Sequence, residues 1–174
     1  LEALFGDRMT EDFLDRLCYS HDVGVMPGFM KAVIGDTTPA AVVQPESEEE
    51  LVALVEVASR HGIPLVPRGK STSGYGGAIP TRGGVVVDFW RMRRILEIDP
   101  EEGVARVEAG VVWRSLERRL AEQGLAVRSY PSSAPSATLG GALAQGGVGF
   151  GAYEFGTFRD AVLAARVVHP DGTR

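Results

Sequence analysis

Residues 67–77 of the chain read Pro67-Arg68-Gly69-Lys70-Ser71-Thr72-Ser73-Gly74-Tyr75-Gly76-Gly77. This stretch, which we call the first loop, follows the short apolar segment Leu65-Val66. A glycine-rich loop that leaves a strand can wrap its backbone N–H groups around a phosphate. The first loop therefore predicts an anion site at the end of a strand.

The first loop also contains an apparent nucleotide-triphosphate motif. Gly69-Lys70-Ser71 matches the end of the P-loop pattern G-x-x-x-x-G-K-[ST], but the first glycine of that pattern would fall on Pro64. A P-loop also leads directly into a helix, and residues 73–80 are too rich in glycine and proline to begin one. A domain that binds nucleoside triphosphates is therefore the weakest alternative.

The residues before the first loop predict a compact βαβ unit. Ala41-Val42-Val43 is an apolar strand, and Ser47 with Glu50 forms a capping-box signature for the helix that follows. His61-Gly62 ends the helix, and the strand at residues 65–67 leads into the first loop. Ligands bind at the carboxyl ends of strands in parallel α/β arrangements, so the first loop is predicted to lie at a binding edge.

The first 38 residues predict a helical lead-in to this unit. Thr10 is the predicted N-cap of a helix near residues 11–18, and residues 19–38 show no clear periodicity. We therefore expect residues 1–38 to form an N-terminal lead-in and residues 39–174 to form the main domain.

Beyond the first loop the pattern changes to short strands and helices. Strands are predicted at residues 85–88, 95–98, 104–109 and 161–168, and helices at residues 113–124 and from residue 138. The chain thus reads as an α+β fold, a small βαβ subdomain followed by a mixed sheet with flanking helices. The turn signal Pro170-Asp171-Gly172 has no strand after it, and we expect the chain to be truncated at its C-terminus, as part of a longer protein.

Composition limits the classes of function. The 174 residues are 44% hydrophobic and 24% charged, as in globular proteins, and the net charge of −5 argues against a nucleic-acid partner. The single cysteine, Cys18, permits no internal disulfide, which fits a reducing cytoplasmic setting. No apolar run reaches the ~20 residues of a membrane helix. We therefore expect a cytoplasmic location, and peripheral association with a membrane through a partner stays open as an alternative.

Two further glycine-rich elements follow the first loop. Residues 131–141 combine small hydroxyl residues with glycines, and Thr138 is placed to cap a helix whose N–H groups face an anion. An ordinary surface loop before a helix is an equal alternative for this element. Residues 147–160 mix glycines with aromatic residues, a composition that suits a flat, extended cofactor.

These elements together resemble the FAD-binding domain (PCMH type) of the vanillyl-alcohol oxidase and p-cresol methylhydroxylase family, and most closely the FAD-linked subunits of the glycolate oxidase and D-lactate dehydrogenase type. The resemblance covers about residues 39–174. It rests on four motifs in order: Pro39-Ala40-Ala41-Val42-Val43-Gln44-Pro45, Pro67 to Gly74, Ala137-Thr138-Leu139-Gly140-Gly141, and Phe155-Gly156-Thr157-Phe158-Arg159-Asp160 with residues 167–172.

The resemblance implies which residues contact the cofactor. The pyrophosphate would be held by the backbone of the first loop, specifically Pro67, Arg68, Gly69, Lys70, Ser71, Thr72, Ser73 and Gly74. The flavin ring, the ribityl chain and the remaining contacts would involve Pro131, Ser132, Thr138, Gly140, Gly141, Tyr153, Gly156 and Val168. Some members attach flavin covalently through a histidine in the first loop, but Thr72 stands at the similar position, so the resemblance implies non-covalent FAD. Residues 145–149 depart from many relatives.

By the same resemblance, the chain would be the cofactor-binding part of an FAD-dependent enzyme. The enzyme would oxidise a small 2-hydroxy acid such as glycolate or D-lactate by hydride transfer to flavin, and electrons would pass to a quinone, an iron–sulfur partner or oxygen. The substrate-binding groups would lie in a C-terminal domain or a partner subunit, and no catalytic residue is assigned, although Tyr153 and Glu154 are retained as candidates. The alternative is a non-catalytic subunit or module that binds FAD or another nucleotide.

Overall fold

The computed structural model describes residues 1–24 and 27–174, with only the backbone of Lys31. The described chain forms two compact units: unit one comprises residues 1–91 and 166–174, and unit two comprises residues 92–165. Among the described residues, no helix is both long and apolar enough to cross a membrane. The α+β fold predicted from the sequence is confirmed.

Unit one is built on a four-stranded sheet. Its strands are β1 (Met9–Thr10), β2 (Ala41–Val43), β3 (Leu65–Arg68) and β4 (Val85–Asp88). The spatial order is β1-β2-β4-β3, with β2, β4 and β3 parallel and β1 antiparallel to β2. The predicted βαβ unit is therefore present, but β4 lies between its two strands. Because β2, β3 and β4 are parallel, their carboxyl ends, including the start of the first loop, lie at one edge of the sheet.

Helices complete unit one. They are α1 (Glu2–Phe5), α2 (Phe13–Cys18), α3 (Gly28–Ile34) and α4 (Glu48–His61), with 3₁₀ turns at Gly6–Arg8 and Phe89–Arg91. Every residue of β2 and β4 is buried, and Phe5 and Leu54 pack against these strands. This core fixes the strand ends from which the first loop leaves.

The capping prediction for α4 is confirmed at Ser47, whose hydroxyl accepts the Glu50 N–H. In the predicted capping box, the Glu50 carboxylate would accept the N–H of Ser47. It accepts instead the N–H of the preceding residue, Glu46, at 2.9 Å. The same carboxylate accepts hydrogen bonds from Arg8 Nη1 at 2.6 Å and from Arg8 Nη2 at 2.7 Å. The hydrogen bond from Arg8 is the main cause of the lowered pKa of Glu50.

The prediction for the start of α2 was wrong by two residues. Asp12, not Thr10, is the N-cap, because its carboxylate accepts the N–H groups of Leu14 at 2.9 Å and Asp15 at 3.2 Å. Thr10 instead belongs to β1, where it pairs with Val42. The predicted irregular lead-in of residues 19–38 contains α3, and its residues Val25 and Met26 lie outside the described residues.

Unit two combines a hairpin with helices. The antiparallel strands β5 (Ile95–Asp99) and β6 (Val104–Val107) confirm the strands predicted at residues 95–98 and 104–109. The helices α5 (Trp113–Ala121), α6 (Leu139–Gln145) and the short α7 (Ala152–Phe155) follow. A 3₁₀ turn spans Phe158–Ala161. The core is centred on the fully buried Trp113, whose ring meets the Phe158 ring edge-on at 4.5 Å between centroids.

The predicted strand at residues 161–168 is wrong. Residues 162–169 form no strand, and most of their side chains are exposed. A strand requires a neighbour for its backbone N–H and C=O groups, and this segment pairs with none of the strands in the described ranges. The turn after it does form, with the Gly172 N–H donating to the His169 carbonyl at 2.9 Å.

Candidate functional site

The first loop lies at the carboxyl edge of the sheet in unit one, directly after β3. The next element after it is β4, and residues 69–84, all of them described, contain no helix. The P-loop alternative is therefore wrong, because a P-loop needs a helix at this point.

Arg68, the last residue of β3, uses its side chain to hold the lead-in. Its guanidinium donates to the carbonyl of His21 at 2.9 Å and to that of Tyr19 at 3.2 Å, and it lies over the Tyr19 ring at 5.1 Å. It also donates to the carbonyl of Ala78 at 3.4 Å, beyond the loop. Burial lowers the pKa of this guanidinium. Arg68 is thus a structural side chain, and its contribution to an anion site is through the backbone.

A hydrogen-bonded cluster supports Tyr19 below the loop. The Tyr19 hydroxyl donates to the Asp88 carboxylate at 2.8 Å, and the same carboxylate accepts from Gln44 Nε2 at 3.0 Å and from the Trp90 N–H at 3.0 Å. Burial, followed by the negative charge of Asp88, raises the pKa of Tyr19 to about 12. Tyr19 therefore stays a neutral hydrogen-bond donor at ordinary pH.

The middle of the first loop has the features of an anion cradle. Ser71 has φ +51°, the one positive φ of a non-glycine residue in the described part of the chain. Its buried Oγ has no hydrogen-bond partner among the described residues. The backbone N–H groups of residues 71–74 likewise donate to no acceptor within the described residues. A phosphate would satisfy such donors, so the loop fits the pyrophosphate of FAD.

The side chain of Lys70 packs over the ring of Trp90. Its Nζ lies 3.5 Å from the centroid of the Trp90 ring, in the 3₁₀ turn after β4. A lysine over an indole face is stabilised by the electrostatic field of the ring. This contact helps to hold the loop at the edge of the sheet.

The predicted flavin-side residues fall in unit two, except Val168. Thr138 is buried and caps α6, with its Oγ1 accepting the Gly141 N–H at 3.3 Å, as predicted. Gly140 serves packing, because a Cβ there would lie 2.7 Å from the Ala109 Cβ. Val168 is half-buried in the irregular segment of unit one.

The second and third glycine-rich elements come together within unit two. Tyr130 and Phe150 exchange backbone hydrogen bonds of 3.2 and 2.9 Å, and Pro131 lines a small cavity together with Ala142 and Gln145. Ser132 is exposed at the start of the Ser/Pro loop.

Two of the predicted flavin contacts, Tyr153 and Gly156, lie on α7 and at its end. The side chain of Tyr153, on α7, is fully exposed, and that of the neighbouring Glu154 is exposed. Gly156, with φ +80°, ends that helix.

The sequence patterns did not predict the residues of the lead-in that hold the first loop. Asp22 is buried, and its carboxylate accepts the N–H groups of Gly24 and Gly76. A single aspartate in a segment without periodicity carries no signal of this kind, because the bond to Gly76 spans 54 residues.

Comparison with known proteins identifies the family. The family described as FAD binding domain matches residues 39–174. The chain belongs to this FAD-binding family. It is 35% identical over 157 residues to the glycolate oxidase subunit GlcD of Bacillus subtilis, covering 90% of this chain and 32% of that protein. It is 34% identical to a D-lactate dehydrogenase of Anaerostipes hadrus, covering 98% of this chain and 33% of that protein.

Solved structures agree with this assignment. An alkyldihydroxyacetonephosphate synthase matches with a TM-score of 0.86 and 29% identity over 98% of this chain and 32% of that chain. A p-cresol methylhydroxylase with substrate bound matches with a TM-score of 0.73 and 27% identity over 84% of this chain and 28% of that chain. The predicted family, its PCMH-type fold and FAD as cofactor are thus confirmed. The FAD-binding chain spans about a third of the length of these relatives.

Proposed function

We propose that this FAD-binding chain is the cofactor-binding part of an oxidoreductase that oxidises a small 2-hydroxy acid such as glycolate or D-lactate. The observation that carries the proposal is the first loop, with its buried, unpartnered Ser71 Oγ and the open N–H groups of residues 71–74. The names of two relatives, a glycolate oxidase subunit and a D-lactate dehydrogenase, support the substrate class.

The role of this chain is to bind and orient FAD. The first loop would hold the pyrophosphate through its backbone, and FAD would supply the hydride acceptor when bound. The proposed flavin-side contacts in unit two, Pro131, Ser132, Thr138, Gly140, Gly141, Tyr153 and Gly156, and the contact at Val168 are supported by the family resemblance. The hydroxy acid, the electron acceptor (quinone, iron–sulfur partner or oxygen) and a cytoplasmic location, with membrane contact only through a partner, are parts of the same proposal.

We propose further that FAD is held without a covalent bond. Thr72 stands where some relatives carry the attaching histidine, and a threonine is not a nucleophile of that kind at neutral pH. Acid precipitation of the FAD-loaded chain should leave all flavin in the supernatant. Flavin that stays with the precipitated polypeptide would contradict the proposal.

A substitution in the first loop tests the phosphate site. A Cβ at Gly74 would lie 3.3 Å from the Gly24 Cα, whereas a Cβ at Gly77 would meet nothing within 4 Å. We expect Gly74→Val to weaken FAD binding roughly 100-fold, a loss of about 2.7 kcal/mol, and Gly77→Val to bind as the wild type does. Titration of each variant with FAD, followed by flavin fluorescence, measures the affinities. Equal affinities for Gly74→Val and the wild type would show that the loop does not approach FAD.

A second experiment separates the enzyme from the alternative, a non-catalytic FAD-binding subunit or module. Glycolate or D-lactate is added anaerobically to the FAD-loaded protein produced from the whole gene, and the visible flavin spectrum is recorded. Bleaching of the flavin supports the 2-hydroxy acid proposal. Stable FAD binding without bleaching by either acid supports the module instead.

A further inference from the structure

Asp22 joins the lead-in to the far side of the first loop. Its side chain is buried, with 7% of its surface exposed. Oδ1 accepts the Gly24 N–H at 2.8 Å, and Oδ2 accepts the Gly76 N–H at 2.8 Å. One carboxylate therefore fastens two segments that are distant in the sequence.

The backbone around Asp22 lies directly against the loop. The Val23 N–H donates to the Ser71 carbonyl at 3.3 Å. Gly24 and Gly74 approach so closely that a Cβ on Gly24 would lie 2.7 Å from the Gly74 carbonyl oxygen. The lead-in thus contacts the loop at the residue with positive φ and at its last small residue before Tyr75.

Arg68 strengthens the same connection from the other side. Its guanidinium donates to carbonyls of the lead-in at Tyr19 and His21 and to the carbonyl of Ala78. The Asp22 carboxylate and the Arg68 guanidinium are close enough to interact electrostatically. The loop is therefore tied to the lead-in by two charged side chains before and after its open N–H groups.

We propose that Asp22 is a positioning residue for FAD, which fixes the first loop in its phosphate-binding conformation before the cofactor arrives. The inference rests on the proposed function of the loop. Asp22 precedes residues 39–174, the part of the chain that the FAD-binding family matches. The inference therefore adds the lead-in to the parts of the chain that determine cofactor affinity.

The physical reason is preorganisation. A buried carboxylate is costly unless strong hydrogen bonds compensate for its lost hydration, and charge-assisted bonds to N–H groups are the strong kind. These bonds order the loop in the free protein. A loop that is already ordered loses less conformational entropy when it binds FAD, and its affinity is correspondingly higher.

The test compares Asp22→Ala and Asp22→Asn with a matched control. The exposed Asp36 accepts the Thr38 N–H at 2.9 Å, so Asp36→Ala removes a similar local bond that does not involve the loop. We expect Asp22→Ala to weaken FAD binding by about tenfold or more, the loss of a hydrogen bond to a charged group. Asp22→Asn, which keeps one acceptor oxygen, should give a smaller loss, and Asp36→Ala should stay within about twofold of the wild type. FAD titrations are made below the unfolding temperature of every variant.

A double-mutant cycle with Ser71→Ala distinguishes positioning from general stabilisation. If Asp22 acts by positioning Ser71 and its neighbours, the double variant loses less FAD affinity than the sum of the single losses. Additive losses would overturn the inference. If Asp22→Ala does not fold, Asp22→Asn carries the same cycle, and faster hydrogen exchange of the Gly76 amide is the accompanying readout.

The outcomes separate this inference from the proposed function. If Gly74→Val and Ser71→Ala both leave FAD binding unchanged, the assignment of the loop to the pyrophosphate is wrong. If those variants weaken binding but Asp22→Ala does not, the loop assignment stands and the positioning role of Asp22 is wrong.

Discussion

The first loop of unit one and the glycine turn of unit two, residues 146–151, have similar compositions and opposite organisations. In the first loop a non-glycine residue, Ser71, has a positive φ as well as Gly76, and the N–H groups of residues 71–74 face no acceptor in the described part of the chain. In the glycine turn the positive φ angles belong to glycines, and Gly149 and Gly151 lie against the carbonyls of Tyr130 and Arg128.

The difference shows what a cluster of glycines means in each place. In unit two, the glycines permit close backbone packing, and the N–H of Phe150 is already used by Tyr130. In unit one, ionisable side chains hold the loop from outside, which leaves the loop backbone open to a ligand. Glycine content alone does not separate these cases. The remaining hydrogen-bonding capacity of the backbone does.

The largest loss of stability should come from substituting Gly151, where a positive φ and a close backbone contact both require glycine. Its φ is +79°, and a Cβ would overlap the Arg128 carbonyl oxygen. We expect Gly151→Ala to lower the free energy of unfolding by about 2–4 kcal/mol, because left-handed strain and a backbone clash add. Chemical denaturation followed by circular dichroism measures the change.

Gly147→Ala is the matched control in the same turn. A Cβ there meets only the Gln145 side chain, at 3.9 Å, and φ is not positive. We expect its stability to remain within about 0.5 kcal/mol of the wild type. Equal stabilities for Gly147→Ala and Gly151→Ala would contradict the view that packing, rather than glycine content, sets the requirement.

Gly24→Ala should have a smaller effect, and mainly on FAD affinity. The added Cβ would lie 2.7 Å from the Gly74 carbonyl oxygen and 2.9 Å from its Cα, so the first loop must move. We expect FAD to bind about tenfold more weakly, or about 1.4 kcal/mol, in the same titration used for the other loop variants. Gly77→Ala, in open space, is the control. A loss of stability without a loss of FAD affinity would show that the glycines of the first loop serve backbone packing, as those of the glycine turn do.

Local patterns in the sequence predicted much of unit one and less of the site. Ser47 and the apolar strands around it carry their signals within a few residues, so β2, α4 and β3 were predicted correctly. The placement of β4 between β2 and β3 depends on pairing across the chain, which the sequence does not state. The apolar run at residues 161–168 resembled a strand, but strand formation requires a partner as well as propensity.

In the candidate site, too, the sequence predicted the residues of a local motif and missed those that act through distant contacts. Its small residues, such as Ser71 and Gly74, were recognised because they form a motif. The side chains that hold the motif, Asp22 and Tyr19, were missed because their contacts with Gly76 and Asp88 span long sequence separations. The sequence thus located the loop that we propose as the FAD phosphate site, and the structure identified the side chains that support it.

The smallest expected effect concerns Tyr19, and it tests whether ionisable side chains support the first loop. The pKa of Tyr19 is raised from 10.0 to about 12, first by burial and then by Asp88. A raised pKa means that folding favours the neutral phenol. The resulting stabilisation is fully present below pH 10 and is lost as the pH rises toward about 12.

We expect the stability advantage of the wild type over Tyr19→Phe to shrink across this interval, while Asp88 keeps its bonds from Gln44 and the Trp90 N–H. Denaturation curves at a series of pH values measure the difference, and ultraviolet absorbance should show one late-ionising phenol that Tyr19→Phe lacks. A constant difference between the two proteins from pH 10 to 12 would show that the Tyr19–Asp88 contact does not support the loop, and that the first loop, like the glycine turn, is held by packing.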